Sequence, residues 1–93
     1  MASHTATRSV HKTLSGTTAD TVAITAAYPA LEVCNRDATV ALYVARDGTT
    51  AVSAADNTDY VAPGGSLLIP HTSSLSVVGN GNAYSVSGVD DLD

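Results

Sequence analysis

A chain of 93 residues is long enough for one small domain, and its interior must be aliphatic because it contains four Tyr but no Phe or Trp. The formal net charge is −5, with only four Lys and Arg residues, so no surface here can neutralise a run of nucleic-acid phosphates. No apolar run approaches the roughly 18 residues of a membrane span, and no hydrophobic leader is visible. We therefore expect synthesis in a cytoplasm, with neither nucleic acid nor membrane as a partner.

The aliphatic core is thin for a domain of this size. The usual balance of buried apolar area against chain entropy comes out near zero for such a chain. Self-association, or docking on a larger body, would supply the missing stabilisation. The single cysteine, Cys34, cannot form an internal disulfide, and we expect it to be a small residue of a strand and not a reactive thiol.

Residues 1–16 are rich in Ser, Thr and Ala and hint at alternation only through Val10, Lys12 and Leu14. This pattern indicates an extended arm or an edge strand. The segment "DTVAIT", residues 20–25, then alternates apolar and small polar side chains at period two. It predicts a half-buried strand.

The stretch "VCNRDATVALYVARDGTT" has the strongest pattern in the chain. Leu31 and Val33 would share a core face before the turn-like "NRDA". Val40, Leu42 and Val44 would do the same after it, with Tyr43 facing outward and a second turn at Asp47 and Gly48. This succession predicts two antiparallel strands joined as a hairpin.

The remaining sequence continues the succession of strands and turns. A polar loop is expected over residues 49–59, then two short strands joined by the turn "PGG". A second hairpin is expected around "GNGN", residues 79–82, because Asn and Gly tolerate positive φ. Residues 90–93 form an acidic tail.

Seven or eight short strands without a helical period predict an all-β chain, a small antiparallel β-sandwich. Both an immunoglobulin-like and a jelly-roll-like arrangement fit the pattern, and a small barrel is compatible with it. The predicted organisation is an arm over residues 1–16, a sandwich over residues 17–89 and a tail over residues 90–93.

The sequence offers little catalytic chemistry. His4, His11 and His71 lack the spacing of metal ligands, and residues 56–59, "DNTD", lack the glycine and distal Glu of a calcium loop. There is no nucleophile elbow and no phosphate-binding loop. We expect no enzyme activity, no metal and no cofactor.

Three segments carry a resemblance to a known family: "LEVCNRDATVALYVARDGTT", "DYVAPGGSLLIP" and "LSVVGNGNAYSVSGV". Over residues 20–89 the chain resembles the small all-β head decoration proteins, also called cement or minor capsid proteins, of tailed bacteriophages that infect actinobacteria. The resemblance implies a virion protein on the capsid exterior, often a homotrimer, that bridges subunits of the major capsid protein in an HK97-type shell. It implies no catalytic residues.

Five residues are the predicted contact residues. Arg8, His11 and Lys12 of the arm would anchor the protein to the shell or to a neighbouring copy, and the outer face around Tyr43 and Arg46 would contact another subunit. Two other functions fit the same pattern. One is a carbohydrate- or host-surface-binding module that uses its tyrosines, and the other is a tail or connector subunit.

Overall fold

The structure is a computed structural model, and it describes residues 2–46, 50–56 and 58–90. The described residues form nine strands and no helix. The strands are β1 (Ser3–Ala6), β2 (Ser9–Thr13), β3 (Asp20–Ile24), β4 (Ala30–Asn35), β5 (Leu42–Arg46), β6 (Asp59–Val61), β7 (Ser66–Pro70), β8 (Leu75–Val78) and β9 (Ala83–Val89). The predicted all-β sandwich is confirmed.

The strand order is that of a jelly roll. One sheet has the order β1-β3-β8-β5-β6, and the other has the order β2-β9-β4-β7. Without β1, these are the two four-stranded sheets of an eight-stranded jelly roll, in which the chain crosses between the sheets after almost every strand. Of the two arrangements that the sequence left open, the structure has the jelly-roll one. Neighbouring strands run antiparallel except β1, which pairs in parallel with β3.

The predicted hairpins are wrong. The links after β4, β6 and β8 each join strands of opposite sheets, and among the described strands only β5 and β6 are both consecutive and paired. Turn residues mark where a chain bends, and alternation marks which face is buried. Both signals are the same for a hairpin and for a crossing between sheets, which explains the error. The expected turn at Asp47 and Gly48 lies outside the described residues.

The amino-terminal segment belongs to the sheets. Residues 1–16 were expected to form an extended arm or an edge strand, and the structure places an edge strand of each sheet within them, β1 and β2. Val10 and Leu14 are buried in the core, 5% and 4% exposed. Residues 3–13 are therefore part of the sandwich and not a free extension from it.

The core lies between the two sheets, on the faces that the alternation indicated. Leu31, Val33, Leu42 and Val44 are all buried there, together with Tyr84. A second, smaller cluster covers the outer face of the five-stranded sheet and consists of Ala19, Ala45, Ala51 and Val78, with Tyr43 packed against it. The chain after β5 folds over this face, where the Ala51 amide donates to Ser76 Oγ at 3.0 Å.

Two buried asparagines tie together the three inter-sheet links at one end of the sandwich. Asn35 Nδ2 donates to the carbonyl oxygens of Val40 and Val61 at 2.8 and 3.2 Å. Asn82 Nδ2 donates to Asn35 Oδ1 at 3.0 Å and to Val40 O at 2.8 Å, while Asn82 Oδ1 accepts the Asn80 amide at 2.8 Å. Because the two amide groups together contact all three links and also each other, the pair fixes the crossings relative to one another.

Candidate functional site

The predicted contact residues lie at two opposite edges of the sandwich. Arg8, His11 and Lys12 lie at the edge formed by β1, β2 and the link between them, which we call the basic edge. Tyr43 and Arg46 lie on β5, beside the edge formed by β6 and β7, which we call the aromatic edge. The structure therefore brings the five residues together as two groups and not as one site.

The basic edge presents cationic side chains around an open groove. The groove has a volume of about 490 Å³ and is lined by Ser3, His4, Thr5, Ala6, Ser9, Val10, His11 and Lys12. The Arg8 guanidinium lies 5.8 Å from the centroid of the Tyr28 ring, within the range of a cation–π contact. His11 Nδ1 is 2.7 Å from Ser85 Oγ on β9. Residues 2–14 contain no Asp or Glu, so the charged side chains of this segment are cationic.

A buried carboxylate holds β1 against the rest of the fold. Asp20 is 2% exposed, and its Oδ2 accepts the Tyr84 hydroxyl at 2.8 Å and lies 3.2 Å from His4 Nε2. Burial, and then the hydrogen bond and negative charge of Asp20, raise the pKa of Tyr84 far above its usual range. No local sequence pattern indicates this cluster, because Asp20 is 16 residues from His4 and 64 residues from Tyr84 along the chain. Its role is structural: it satisfies a buried charge and positions β1.

Tyr43 and Tyr60 form the centre of the aromatic edge. They are opposite each other on β5 and β6, with ring centroids 5.7 Å apart and planes at 66°, an edge-to-face arrangement. Tyr43 packs on the outer alanine cluster, whereas Tyr60 is 59% exposed. The outward direction predicted for Tyr43 is thus what the structure has.

Arg46 does not share the outer face with Tyr43. Side chains alternate along a strand, and Arg46 has the inward parity of Leu42 and Val44 because it is three residues from Tyr43. It lies at the end of β5 and binds Asp59 Oδ2 through Nε at 3.0 Å and Nη2 at 2.9 Å. The expectation of one contact face around Tyr43 and Arg46 is corrected accordingly.

Sequence reasoning missed the exposed apolar residues Val52, Tyr60 and Leu68, which are 62%, 59% and 38% exposed. Tyr60 lies with Tyr43 on the outer face of the five-stranded sheet, whereas Leu68 lies opposite Glu32 on the outer face of the four-stranded sheet. Leu68 belongs to the continuous apolar run "LLI", in which the flanking Leu67 and Ile69 face the core. In the sequence, the exposure of Leu68 is indicated only by this interruption of the polar–apolar alternation within a strand.

The described residues contain no group of three or more His, Cys, Asp or Glu side chains that could hold a metal ion. Within "DNTD", Thr58 donates to Ala55 O at 2.6 Å and Asp59 binds Arg46, while Asn57 lies outside the described residues. Burial, and next the negative charge of Glu32, raise the pKa of the Cys34 thiol, which favours its unreactive form. No helix of the described chain has the length and apolar character needed to cross a membrane.

No protein-family model matches this sequence, and no curated protein matches it significantly. The architecture of the described residues is a jelly roll extended by one parallel edge strand, with the basic edge and the aromatic edge on opposite sides.

Proposed function

We propose that the protein is a structural virion component, a capsid decoration or cement protein. It docks on the exterior of an HK97-type head and bridges neighbouring subunits of the major capsid protein. The observation that carries the proposal is that the residues predicted to make contacts lie at two opposite edges of one sandwich. A body with two separated contact surfaces can join two neighbours, and many such weak contacts on a lattice add up through avidity.

Rigidity between the two edges supports a bridging role. Asn35 and Asn82 are 2% and 0% exposed, and their hydrogen bonds tie the inter-sheet links together. Every buried side-chain nitrogen and oxygen among the described residues has a hydrogen-bond partner. A close-packed sandwich of this kind has low compressibility, so it transmits a displacement from one edge to the other, as a protein that bridges two neighbours must.

The fold class is compatible with the proposal by analogy only, because jelly rolls occur in viral capsid proteins and also in lectins and cupins. The acidic surface argues against contact with the packaged genome, since phosphate contacts require clustered Lys and Arg. The proposal thus places the protein outside the shell, with the major capsid protein and further copies of itself as partners.

The experiment is co-sedimentation with undecorated heads of the phage that carries the gene. The expected result is saturable binding at a fixed number of copies per capsid subunit, with a raised temperature of head disruption. Heads that already carry their full complement are the control, and they should take up no more. If undecorated heads leave the protein in the supernatant, the cement function is refuted.

Removal of residues 1–16 is unsuitable for testing the anchor. That deletion would take away β1 and β2 and two buried core residues, Val10 and Leu14. The loss of binding would then report an unfolded sandwich and not a missing anchor. Substitution of the exposed Arg8 and Lys12 by Glu keeps the fold and tests the contact itself.

Carbohydrate binding is the second candidate, favoured by the exposed ring of Tyr60 held edge-to-face by Tyr43. Aromatic faces of this kind stack on sugar rings. A glycan array that shows selective binding, lost in Tyr60→Ser, would support this candidate. Tyr28 and Tyr84 do not contribute, because one packs against the core cluster and the other is fully buried.

A further inference from the structure

We infer that the basic edge binds an extended acidic segment of a partner protein, which adds to β2 as a further antiparallel strand. The inference goes beyond the proposed function and does not depend on it, because it concerns how this edge recognises a peptide and not which particle the protein decorates. Four observations carry it: the free backbone groups of β2, the protection of the opposite edge, the groove beside β2, and the cations that flank its apolar part.

The free side of β2 carries backbone groups that no described strand of the sheet bonds. Where β2 meets β9, the Gly88 amide donates to Arg8 O at 2.7 Å. Backbone groups alternate in direction along an antiparallel strand, so every second residue counted from Arg8 points toward β9. Because β2 is the edge strand of its sheet, the N–H and C=O groups of the residues between them are left for an added strand. These residues are Ser9, His11 and Thr13.

The aromatic edge is protected against the same addition. At the end of β4 the Asn35 amide donates to Gly65 O at 2.9 Å. The same alternation puts the Pro70 backbone on the free side of β7, and a proline nitrogen cannot donate to an added strand. β6, at the edge of the other sheet, has only three residues, and short strands resist addition. Since β2 has five residues and no proline, the basic edge is the one open to a further strand.

The groove between β1 and β2 has room for side chains of the added strand. Its volume is about 490 Å³, and Ala6 and Val10 are among the residues that line it. Every second side chain of an added strand lies on the groove side, and the side chain opposite Val10 meets this apolar part. A β-branched residue such as valine suits that position of the partner.

Two cations flank Val10 on the groove side and select an acidic partner. Arg8 and Lys12 are exposed, and each is two residues from Val10, so the three side chains share one face. Opposite charges directly across neighbouring strands are stabilising, and like charges are destabilising. An added strand with the pattern acidic–x–apolar–x–acidic therefore matches this face. A second copy of β2 carries the same two cations, so pairing between copies is opposed by like charge.

Carboxylates of this chain leave the Lys12 end of the edge free for an acidic partner. Asp20 is 2% exposed, and its carboxylate is engaged by the Tyr84 hydroxyl. Asp90 follows β9 at the end where Gly88 meets Arg8, away from Lys12. The segments next to Lys12, residues 9–18 and 79–89, contain no Asp or Glu. Because the whole chain has a net charge of −5, its other surfaces repel an acidic segment and confine it to this edge.

The test measures binding of two synthetic peptides, blocked at both ends, to the intact protein by fluorescence anisotropy. The peptide TETVTET has the matching pattern, and TKTVTKT has the reversed charge. We expect TKTVTKT to bind at least about tenfold more weakly than TETVTET. Lys12→Glu should weaken TETVTET binding by about five- to tenfold. Arg36→Glu is the matched control and should change it less than about twofold, because Arg36 follows β4, which β9 separates from β2.

The double variant Arg8→Glu/Lys12→Glu reverses the charge on the groove side of β2. It should bind TKTVTKT more tightly than TETVTET, which is the opposite of the wild-type preference. This gain of binding shows in the same measurement that the variant is folded.

Strand addition has a signature that ion pairing alone lacks. With glutamates opposite Arg8 and Lys12, the third and fifth peptide nitrogens of TETVTET face β2, and the fourth and sixth face away. N-methylation of the first pair should abolish binding, whereas N-methylation of the second pair should be tolerated. Bound TETVTET should also slow hydrogen exchange of the Ser9 and His11 amides by at least about tenfold. The Val10 amide should be unaffected, because it already faces β9.

The inference is overturned if TETVTET does not bind, if it binds no better than TKTVTKT, or if the two N-methylated peptides bind equally. It is also overturned if raising the protein concentration alone protects the Ser9 and His11 amides, since that result would indicate pairing with a second copy. None of these outcomes decides whether the protein sediments with undecorated heads, so failure here is separable from failure of the cement function.

Discussion

Replacing Asn82 by Ala should cost a large part of the stability of this fold. The Asn82 side chain makes three hydrogen bonds of 3.0 Å or less, to Asn35 Oδ1, to Val40 O and from the Asn80 amide. At a net value of about 1 kcal/mol for each bond, the loss is about 3 kcal/mol. A domain of this length has a total unfolding free energy of about 5–14 kcal/mol, so the variant should be clearly destabilised.

Urea unfolding followed by circular dichroism measures this loss. With a slope of about 1.5 kcal/mol per molar urea, the midpoint should fall by about 2 M. Asn80→Ala is the matched control, because the Asn80 side chain is exposed and only its backbone amide is used in the network. The control should change the unfolding free energy by less than about 0.5 kcal/mol.

The reasoning fails if Asn82→Ala costs less than about 1 kcal/mol, or no more than Asn80→Ala. Either result would mean that the three inter-sheet links hold their positions without the asparagine pair. A double-mutant cycle with Asn35→Ala provides the second check, since residues in one hydrogen-bond network should show non-additive losses.

Three further outcomes are expected. Gly88→Ala should lower the unfolding free energy by about 1–3 kcal/mol, because the added Cβ would overlap the Tyr28 ring; wild-type stability in the same urea assay would contradict this. Because the pKa of Tyr84 is raised in the folded protein, its phenol ionises at lower pH in the unfolded chain. The unfolding free energy of the wild type should therefore fall above about pH 10 by up to ~1.4 kcal/mol per pH unit relative to Tyr84→Phe. Parallel plots of unfolding free energy against pH for the two proteins would refute this expectation. Iodoacetamide at pH 8 should modify Cys34 slowly and react faster in Glu32→Gln, since Glu32 raises the thiol pKa; equal rates would exclude that influence.

The sequence predicted the faces of the strands better than their partners. Leu31 and Val33 alternate with half-buried neighbours as expected, and so do Leu42 and Val44 on either side of Tyr43, whereas Ala45 is buried in the outer cluster. Burial depends on the local two-residue period, which a single sequence displays directly. Pairing depends on which sheet receives the next strand, and no local property of "NRDA" or "GNGN" distinguishes the two outcomes.

The candidate surfaces were only partly foreseeable for the same reason. The basic character of residues 8–12 is visible in the sequence, but their place beside β9 follows from the topology. The pairing of Tyr43 with Tyr60 and the contact of His4 with Asp20 join residues 16 or more positions apart. Such contacts are decided by the packing of the whole chain, and composition alone does not reveal them.

The strand order also constrains how the chain folds during synthesis. β9 is synthesised after all the other described strands, yet it lies between β2 and β4. β8, the strand before it, separates β3 from β5 in the other sheet. Neither sheet can therefore be completed until residues 75–89 have emerged, and the one local strand pair, β5 with β6, is too small to be stable alone.

Folding of this molecule is thus a single late event, and it requires the closure of long loops, which is slow. A nascent chain truncated before β9 holds eight strands that lack the central partner of one sheet, with their apolar faces uncovered. Termination of synthesis before residue 83 should for this reason produce aggregation and degradation, and not a shortened functional protein.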